Sequence, residues 1–445
     1  MTSPSTRRTF LKLGVGASVL PLTGYASLSS LPKRSVSGRV RHACVGVGGM
    51  GESDMGNLAS HPELDIVALC DVDSGKLAAA AAKHPNAKTF KDWRVMFKEL
   101  ADGIDSVSVS TPDHMHAQVT LKALSLGKHV YCQKPLTRTV AESRAVLKAA
   151  SNSGSVTQMG IQNHSNKFYD AAHTLFKAGH IGEVYEVHVW TDRPSGWWPQ
   201  GVGRPEGSDP IPETLDWDLW LGVAPERPYK KGQYHPFSWR GWQDFGTGAQ
   251  GDMACHLMDP AIWFLGLGAP LRIRSDGPTP NGETYPLYSE VKYEFPANKH
   301  TTRGPLNLTW HDGGRKAPHQ LLEDLGAGEV PANACLFVGT KGALLANPYD
   351  HARLLGNEAF ADIEIPEGVA RNHWHQYVDA VQGKGECSAN FEYAAMLTEV
   401  ALLGNVALSY PHESLEWDGA GMRFPKRPEA DALLSSKHRS GWESI

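Results

Sequence analysis

The chain has 445 residues, of which 41% are hydrophobic and 20% charged, and its formal net charge is −5 at pH 7. This is the composition of an ordinary globular protein, and the length predicts more than one domain. No basic face stands out, so nucleic acid is not an expected partner. The six cysteines stand singly without a Cys-x-x-Cys pair, so no zinc site is expected, and Cys44 and Cys132 fall in apolar runs that predict buried side chains.

The first residues have the pattern of an export signal. The segment Thr6-Arg7-Arg8-Thr9-Phe10-Leu11-Lys12 precedes an apolar run over 13–22 that is shorter than the ~20 residues a membrane span needs. Paired arginines before such a run resemble the twin-arginine type of signal peptide. We therefore expect residues 1–37 to be a signal peptide and linker that engage the twin-arginine translocation machinery, with the periplasm as destination. The alternative is a disordered basic tail.

Between residues 38 and 164, short apolar strands alternate with helical segments. This alternation predicts βαβ units on a parallel sheet with right-handed crossovers. The predicted strands are 40–47, 64–71, 105–110, 129–132 and 156–160, and the predicted helices are 51–60, 74–83, 117–126 and 140–150.

From residue 165 to residue 445 the pattern changes to strands with fewer helices and one long loop, 193–248, rich in Trp, Pro and Gly. We predict a second, α+β domain with a large open, mostly antiparallel sheet, which makes the whole chain an α/β protein of two domains. Its predicted strands are 184–190, 271–274, 290–295, 306–310 and 335–338, and its predicted helices are 167–178, 251–265, 374–381 and 393–408.

A glycine-rich turn follows the first predicted strand. Gly46-Val47-Gly48-Gly49-Met50-Gly51 matches G-x-G-x-x-G and opens a helix, which is the context that this motif requires. Gly46 permits the tight turn, Gly48 lets the backbone approach a pyrophosphate, and Gly51 lets the helix pack closely on the strand. With the partial positive charge of the helix N-terminus, the turn predicts a dinucleotide site that includes Met50.

Further cofactor contacts are expected where the parallel strands end. A carboxylate at Asp71 would accept hydrogen bonds from ribose hydroxyls and repel a 2′-phosphate, which favours NAD over NADP; the alternative is an Asp of an ordinary turn. His116 could instead be a buried core histidine. The remaining cofactor candidates, which follow the next two strands, are Ser110, Thr111, Pro112, His114, Gln133 and Lys134.

At these residues the chain resembles the Gfo/Idh/MocA oxidoreductases, through GVGGMG, CDVD, STPDHMHA, YCQKPL, GDMACHLMDPAIW, FVGTKGAL and FEYAAMLTEVALLGNVAL. The resemblance implies a nicotinamide cofactor across the first domain and a sugar, cyclitol or related polyol against the second sheet. It also implies that Lys134 is the lysine of the family's E-K-P motif and that Asp252 and His256 form its D-x-x-x-H pair. The position before the lysine is Gln133 rather than Glu, and a neutral amide favours a charged lysine less.

These residues suit hydride transfer, which also requires a proton to move at the substrate hydroxyl. Asp252 and His256 are four positions apart and would share one face of a helix. Either His256 or Lys134 could be the acid/base, while Asp252 would orient the histidine or bind a hydroxyl. The alternatives are a core histidine and a helix-capping aspartate.

Substrate contacts are expected from two segments. In Arg193-Pro194-Ser195-Gly196-Trp197-Trp198-Pro199-Gln200, the rings of Trp197 and Trp198 could stack on a sugar and Arg193 could bind its hydroxyls; the alternative is a loop anchored by buried tryptophans. Gln162 and Asn163, where the first domain ends, could also reach the substrate. No metal site is predicted, and the histidines at 373 and 375 are expected to be helix residues without a metal role.

The sequence therefore predicts an NAD(P)-dependent oxidoreductase acting on a sugar or polyol. Because little free NAD(H) is available outside the cytoplasm, we expect a tightly bound cofactor that is recycled in each turnover. One alternative is an NAD-dependent glycosidase similar to glycoside hydrolase family 109, although the Tyr-x-x-His arrangement associated with that family is not found. Another is a non-catalytic sugar-binding protein. The open sheet also makes a homo-oligomer possible.

Overall fold

The structure is a computed structural model, and it describes residues 33–442. The predicted twin-arginine motif and its apolar run lie outside the described residues. Among the described residues, no helix is both long and apolar enough to span a membrane. Two sheets, one of six strands and one of eight, organise this part of the chain.

The first sheet is parallel throughout and belongs to residues 40–159. Its strands are β1 Val40–Val45, β2 Leu64–Cys70, β3 Lys88–Phe90, β4 Ser106–Val109, β5 His129–Cys132 and β6 Thr157–Met159. Their spatial order is β3-β2-β1-β4-β5-β6. Successive strands are therefore added towards one edge of the sheet from β1 to β3 and towards the other edge from β4 to β6. Ligands of open α/β sheets bind in the crevice at such a reversal, at the carboxyl ends of the strands.

Five helices connect these strands: α1 Met50–Ala59, α2 Ser74–Lys83, α3 Trp93–Leu100, α4 Asp113–Ser125 and α5 Val140–Ser153. The prediction of a Rossmann domain is confirmed, although it did not include β3 and α3. Helix α4 begins one turn before the predicted residue 117, directly after Pro112. Its polar first turn is buried against the second domain, and a search for apolar periodicity does not detect such a turn.

The second sheet is mixed. Its strands are β7 Val184–Trp190, β8 Arg272–Ser275, β9 Glu290–Phe295, β10 Leu306–His311, β11 Ala334–Gly339, β12 Gly342–Asn347, β13 Asp350–Leu355 and β14 Ser414–Glu416. The order is β13-β12-β11-β7-β10-β9-β8-β14, in which β7 and β10 pair in parallel and the other pairs are antiparallel. The predicted large, mostly antiparallel sheet is therefore confirmed.

The helices of the second half are α6 Lys167–Lys177, α7 Trp217–Leu221, α8 Gly248–Leu257, α9 Asp259–Leu265, α10 His319–Asp324, α11 His373–Val381 and α12 Phe391–Ala407. The single helix predicted over 251–265 is wrong, because the chain forms α8 and α9 with a break at Met258. Pro260 lies in the first turn of α9, where its missing N–H costs nothing.

One face of the second sheet packs on α6, α8, α9 and α12 to form the main core. Phe337 of β11 stacks on Phe264 of α9, with ring centroids 5.6 Å apart. The apolar helix α12 contacts both α8 of the second domain and α5 of the first, and α11 packs on α1. A helix that is apolar all round is buried on all sides, and α12 accordingly lies at the junction of the two domains.

Candidate active site

A cavity of about 680 Å³ lies between the carboxyl ends of the parallel strands and the loops of the second domain. Its size is that of a typical ligand pocket. Most of the residues predicted to bind cofactor or substrate line it, and they come from both domains. These residues are Gly46, Gly48, Gly49, Met50, Asp71, Ser110, Thr111, Pro112, His116, Gln133, Lys134, Gln162, Arg193, Trp197, Trp198, Asp252 and His256.

Three predicted site residues do not line this cavity. His114 is buried between Trp220 and Phe245. Its Nδ1 lies 3.3 Å from the backbone carbonyl oxygen of Phe245, and its Nε2 lies 3.0 Å from that of Trp220. Its predicted cofactor contact is therefore corrected to a contact between the two domains. Asn163 lies in a short 3-10 turn beside the cavity. Gly51 packs against the glycine turn, which is the close-packing role expected for the third glycine.

The glycine turn fits a pyrophosphate. A Cβ atom at Gly46 would lie 2.6 Å from the carbonyl oxygen of Ser110, and one at Gly51 would lie 2.1 Å from that of Gly46, so no larger residue fits without movement. The backbone N–H groups of Gly49 and Met50 have no hydrogen-bond partner among residues 33–442. Free N–H groups at the start of α1 are the donors that bind phosphate in dinucleotide sites.

Asp71 supports the turn from the end of β2. Its Oδ2 accepts a hydrogen bond from Val47 N over 2.8 Å, and its Oδ1 accepts one from Asp73 N over 2.9 Å. Each carboxylate oxygen retains a lone pair that can accept a ribose hydroxyl. Burial raises the pKa of Asp71, although the two backbone donors oppose this shift. The residues present therefore fit the adenosine and pyrophosphate parts of NAD.

Lys134 and Asp252 form an ion pair at the other end of the cavity. Lys134 Nζ donates to Asp252 Oδ1 over 2.7 Å and to the carbonyl oxygen of Asp252 over 2.8 Å. Arg240 Nε also donates to Asp252 Oδ1, over 3.2 Å. Burial alone would raise the pKa of Asp252, but the charges of Lys134 and Arg240 outweigh it and hold this pKa well below its usual range. Asp252 is therefore an anion at neutral pH.

His256 lies one helical turn after Asp252 on α8. Burial and the nearby charge of Lys134 lower the pKa of His256 to about 3, so the ring is neutral at pH 7. Its Nδ1 is buried without a hydrogen-bond partner in the described part of the chain. The ring as a whole lines the cavity, where a neutral imidazole can accept a hydrogen bond from a substrate hydroxyl.

Asp54 was not among the predicted site residues. Its carboxylate is fully buried and accepts hydrogen bonds from Ser110 Oγ, Gln133 Nε2 and Trp374 Nε1 over 2.8 to 3.0 Å. Burial raises its pKa, and the donors oppose the shift. The carboxylate that the E-K-P pattern would place before Lys134 is thus absent at position 133, and the carboxylate of Asp54 on α1 lies beside Gln133 instead. An acidic residue on the inward face of α1 was the available sequence signal.

Asp113 is a second buried acid that the sequence analysis did not single out. It begins α4, accepts a hydrogen bond from Thr247 Oγ1 over 2.7 Å and lines the cavity. Burial raises the pKa of Asp113 to about 7, and the charge of Asp252 acts in the same direction. At neutral pH this side chain is therefore partly protonated, unlike Asp252 in the same cavity.

We expect Asp113→Asn to change how stability depends on pH. The folded-state pKa of Asp113 is about 7, above the ordinary value of ~3.9, so the folded protein favours the protonated side chain. The contribution of Asp113 to the free energy of unfolding is therefore fully present below pH 4 and is lost as the pH rises through 7. The variant should thus be more stable than the wild type at pH 8, by up to about 4 kcal/mol, and the difference should vanish towards pH 4.

Calorimetric unfolding of the cofactor-free protein at several pH values measures this difference. Asp102→Asn, at an exposed position, is the matched control and should leave the pH profile unchanged. Equal Tm differences between Asp113→Asn and wild type at pH 5 and pH 8 would contradict the raised pKa.

The two predicted tryptophans of the long loop differ in exposure. Trp197 is 48% exposed at the cavity rim, where the Arg193 guanidinium lies 3.7 Å from its ring centroid. Trp198 is only 7% exposed, and its Nε1 donates to Gln200 Oε1 over 2.8 Å. Trp197 is therefore placed for stacking on a ligand, whereas Trp198 also anchors the loop.

These observations define a two-domain, dinucleotide-binding protein with a ligand cavity between its domains. Residues 40–161 match a family profile described as "Oxidoreductase family, NAD-binding Rossmann fold", and residues 171–300 match one described as "Oxidoreductase family, C-terminal alpha/beta domain". Together the two ranges cover more than half of the chain. The chain belongs to the Gfo/Idh/MocA oxidoreductase family and carries both of its domains. Its first domain is an NAD-binding Rossmann domain.

Curated relatives include sugar and cyclitol dehydrogenases. Inositol 2-dehydrogenase of Salmonella typhimurium is 29% identical over 147 residues, which are 32% of this chain and 43% of that protein. Levoglucosan dehydrogenase of Pseudarthrobacter phenanthrenivorans is 26% identical over 206 residues, which are 46% of this chain and 44% of that protein. The chain thus spans less than half the length of these relatives.

Solved structures share the fold over a larger part of the chain. The WlbA dehydrogenase of Bordetella pertussis, in complex with NADH and UDP-GlcNAcA, has a TM-score of 0.60 at 16% identity and covers 85% of this chain and 99% of its own. At this level of identity the likeness establishes a common fold.

Proposed function

We propose that this protein is an NAD-dependent oxidoreductase that moves a hydride between nicotinamide and a carbinol carbon of a sugar, cyclitol or related polyol. The observation that carries the proposal is one cavity lined by the glycine turn, Lys134, Asp252 and His256. The names of the curated relatives, inositol 2-dehydrogenase and levoglucosan dehydrogenase, support the substrate class.

Lys134 positions and polarises the reacting oxygen. Two of its ammonium protons are donated to Asp252, to the carboxylate and to the backbone carbonyl, which leaves the third for a substrate hydroxyl. Because both acceptors belong to one residue in the middle of α8, the amine has little freedom to turn away. A fixed donor beside a developing negative charge stabilises the transition state without reorganisation.

His256 accepts the hydroxyl proton during oxidation. When bound, nicotinamide would accept the hydride from the carbinol carbon, and the oxygen that becomes a carbonyl oxygen would carry a strongly acidic proton. A neutral imidazole accepts that proton even though the pKa of His256 is only about 3. In the reverse direction protonated His256 returns the proton to the same oxygen. Asp252, held as an anion by Lys134 and Arg240, keeps the ammonium group in place.

The function is tested with the protein as purified. Absorbance and mass spectrometry of the released small molecules measure bound nucleotide, and a panel of aldoses, inositols and aryl glycosides is then added while nicotinamide absorbance and product mass are followed. We expect a spectral change with at least one sugar or polyol and a product two hydrogens lighter. Release of the aryl group without net change in the nicotinamide spectrum would show an NAD-dependent glycosidase instead. A ligand that binds without either change would show a sensor.

We propose further that residues 1–37 direct export through the twin-arginine pathway and that the cofactor leaves the cytoplasm already bound. The support is the Arg7-Arg8 pattern with its short apolar run. Fusion of residues 1–37 to a reporter should export it, and Arg7→Lys with Arg8→Lys should retain it in the cytoplasm. Export that is unaffected by the double substitution would refute the proposal.

A further inference from the structure

Arg240 brings a second positive charge to a carboxylate that already pairs with a lysine. Asp252 Oδ1 accepts from Lys134 Nζ over 2.7 Å and from Arg240 Nε over 3.2 Å. All three side chains are more than four-fifths buried, at 14%, 13% and 18% exposure for Lys134, Asp252 and Arg240. One anion and two cations leave a net positive charge at the end of the cavity where the proposed acid/base His256 lies.

The other charged groups of the cavity do not fully balance Arg240. Asp113 interacts electrostatically with Arg240, but it is partly protonated at neutral pH and its carboxylate accepts from Thr247. Asp71 lies at the glycine turn, bound to backbone N–H groups. The remaining arginine of the lining, Arg193, has its own partner in Asp192. An uncompensated charge in a partly buried site favours an anionic ligand.

The guanidinium group of Arg240 is held in place and has a free donor. Its Nη1 donates to the carbonyl oxygen of Phe237 over 3.1 Å, and its central carbon lies 4.3 Å from the ring centroids of both Phe237 and Trp239. Nη2 has no hydrogen-bond partner in the described part of the chain, and Arg240 lines the cavity. A planar, preorganised guanidinium is the side chain best suited to a carboxylate.

We propose that Arg240 binds a carboxylate of the substrate, so that the substrates of this enzyme are sugar acids rather than neutral sugars. This inference rests on the proposed oxidoreductase function and names its substrate class. Arg240 holds the acid group while Lys134 and His256 act on a hydroxyl of the same ring.

The inference is tested by binding of matched ligands to the NADH-loaded protein. D-Glucuronate, D-glucose and D-glucose 6-phosphate share a ring and differ at one carbon, which bears a carboxylate, a hydroxymethyl group or a phosphate ester. D-Galacturonate and D-galactose provide a second pair. Quenching of the bound nicotinamide fluorescence, with isothermal calorimetry as a second measurement, gives each Kd. We expect each uronate to bind roughly 10- to 100-fold more tightly than its neutral partner, the range of a hydrogen bond to a charged group.

Two substitutions of Arg240 separate charge from packing. In Arg240→Gln the affinity of the uronate should fall much more than that of the neutral sugar, so most of the uronate's advantage is lost, and Arg240→Lys should retain part of the advantage. Arg204→Gln is the matched control, because Arg204 lies on the same loop but pairs with Glu283 outside the cavity lining. It should leave both affinities unchanged.

Several results would overturn the inference. With the wild type, these results are equal or tighter binding of the neutral sugars in both pairs, tighter binding of the phosphate ester than of the uronate, or no binding of either uronate. With Arg240→Gln, the contradicting result is an equal loss of affinity for the uronate and the neutral sugar. Oxidation of neutral sugars without preference for acids would refute the inference and leave the proposed function intact. Arg240-dependent binding of uronates without hydride transfer would refute the function and leave the anion site.

Discussion

Replacement of Lys134 by Met should lower kcat by roughly 100-fold or more while the affinity for NAD stays close to that of wild type, since a positioned acid/base or polarising group contributes on this scale. Lys134 Nζ is bonded to Asp252 in the cavity and leaves one proton for the substrate oxygen. Met keeps the length and apolar character of the side chain but cannot donate. Asp252 retains Arg240 as a partner, so the variant should fold.

Steady-state kinetics with the best substrate of the panel and fluorescence titration with NADH measure the two effects. Lys98→Met, on the exposed side of α3, is the control and should change neither. Lys134→Arg keeps the charge but misplaces the donor, and only part of the lost rate should return. A kcat within a factor of about three of wild type in Lys134→Met would show that the lysine takes no part in the chemistry.

Replacement of Gly51 by Ala should weaken NAD binding by roughly 10- to 100-fold and lower the Tm. A Cβ at this position would lie 2.1 Å from the carbonyl oxygen of Gly46, which is backbone and has little room to move. Overpacking of this kind typically costs about 1–3 kcal/mol, and here the relief would displace the turn that holds the pyrophosphate.

Gly56→Ala is a matched control in the same helix, because its Cβ would meet nothing within 4 Å. Alanine is the better helix former by about 1 kcal/mol, so this variant should bind NAD normally and be at least as stable as wild type. Equal NAD affinity in Gly51→Ala and wild type would mean that the cofactor does not rest on this turn.

Several features that local sequence determines were predicted correctly. The alternation of apolar strands with helices gave the parallel sheet, and the spacing of Gly46, Gly48 and Gly51 after a strand gave the turn. The rule that ligands meet the carboxyl ends of parallel strands placed Lys134 at the cavity. It identified the correct edge of the sheet but not the direction of each side chain, which is why His114 was wrongly expected at the cofactor.

The residues that were missed depend on long-range packing. Asp54 and Gln133 are 79 positions apart in the sequence, and Arg240 reaches Asp252 because the long loop folds back on α8. Neither contact has a sequence spacing that could reveal it. The break between α8 and α9 was missed because the apolar pattern continues across it, although Pro260 was a visible signal.

The position of α12 has a consequence for synthesis of the protein. This helix, Phe391–Ala407, packs against α5 of the first domain, and α11 covers α1, so elements made last complete the domain that is made first. A nascent chain that has emerged only as far as β6 leaves part of that domain's apolar surface facing water. The NAD-binding half therefore cannot reach its final packing during translation, and it closes only when nearly the entire polypeptide has left the ribosome.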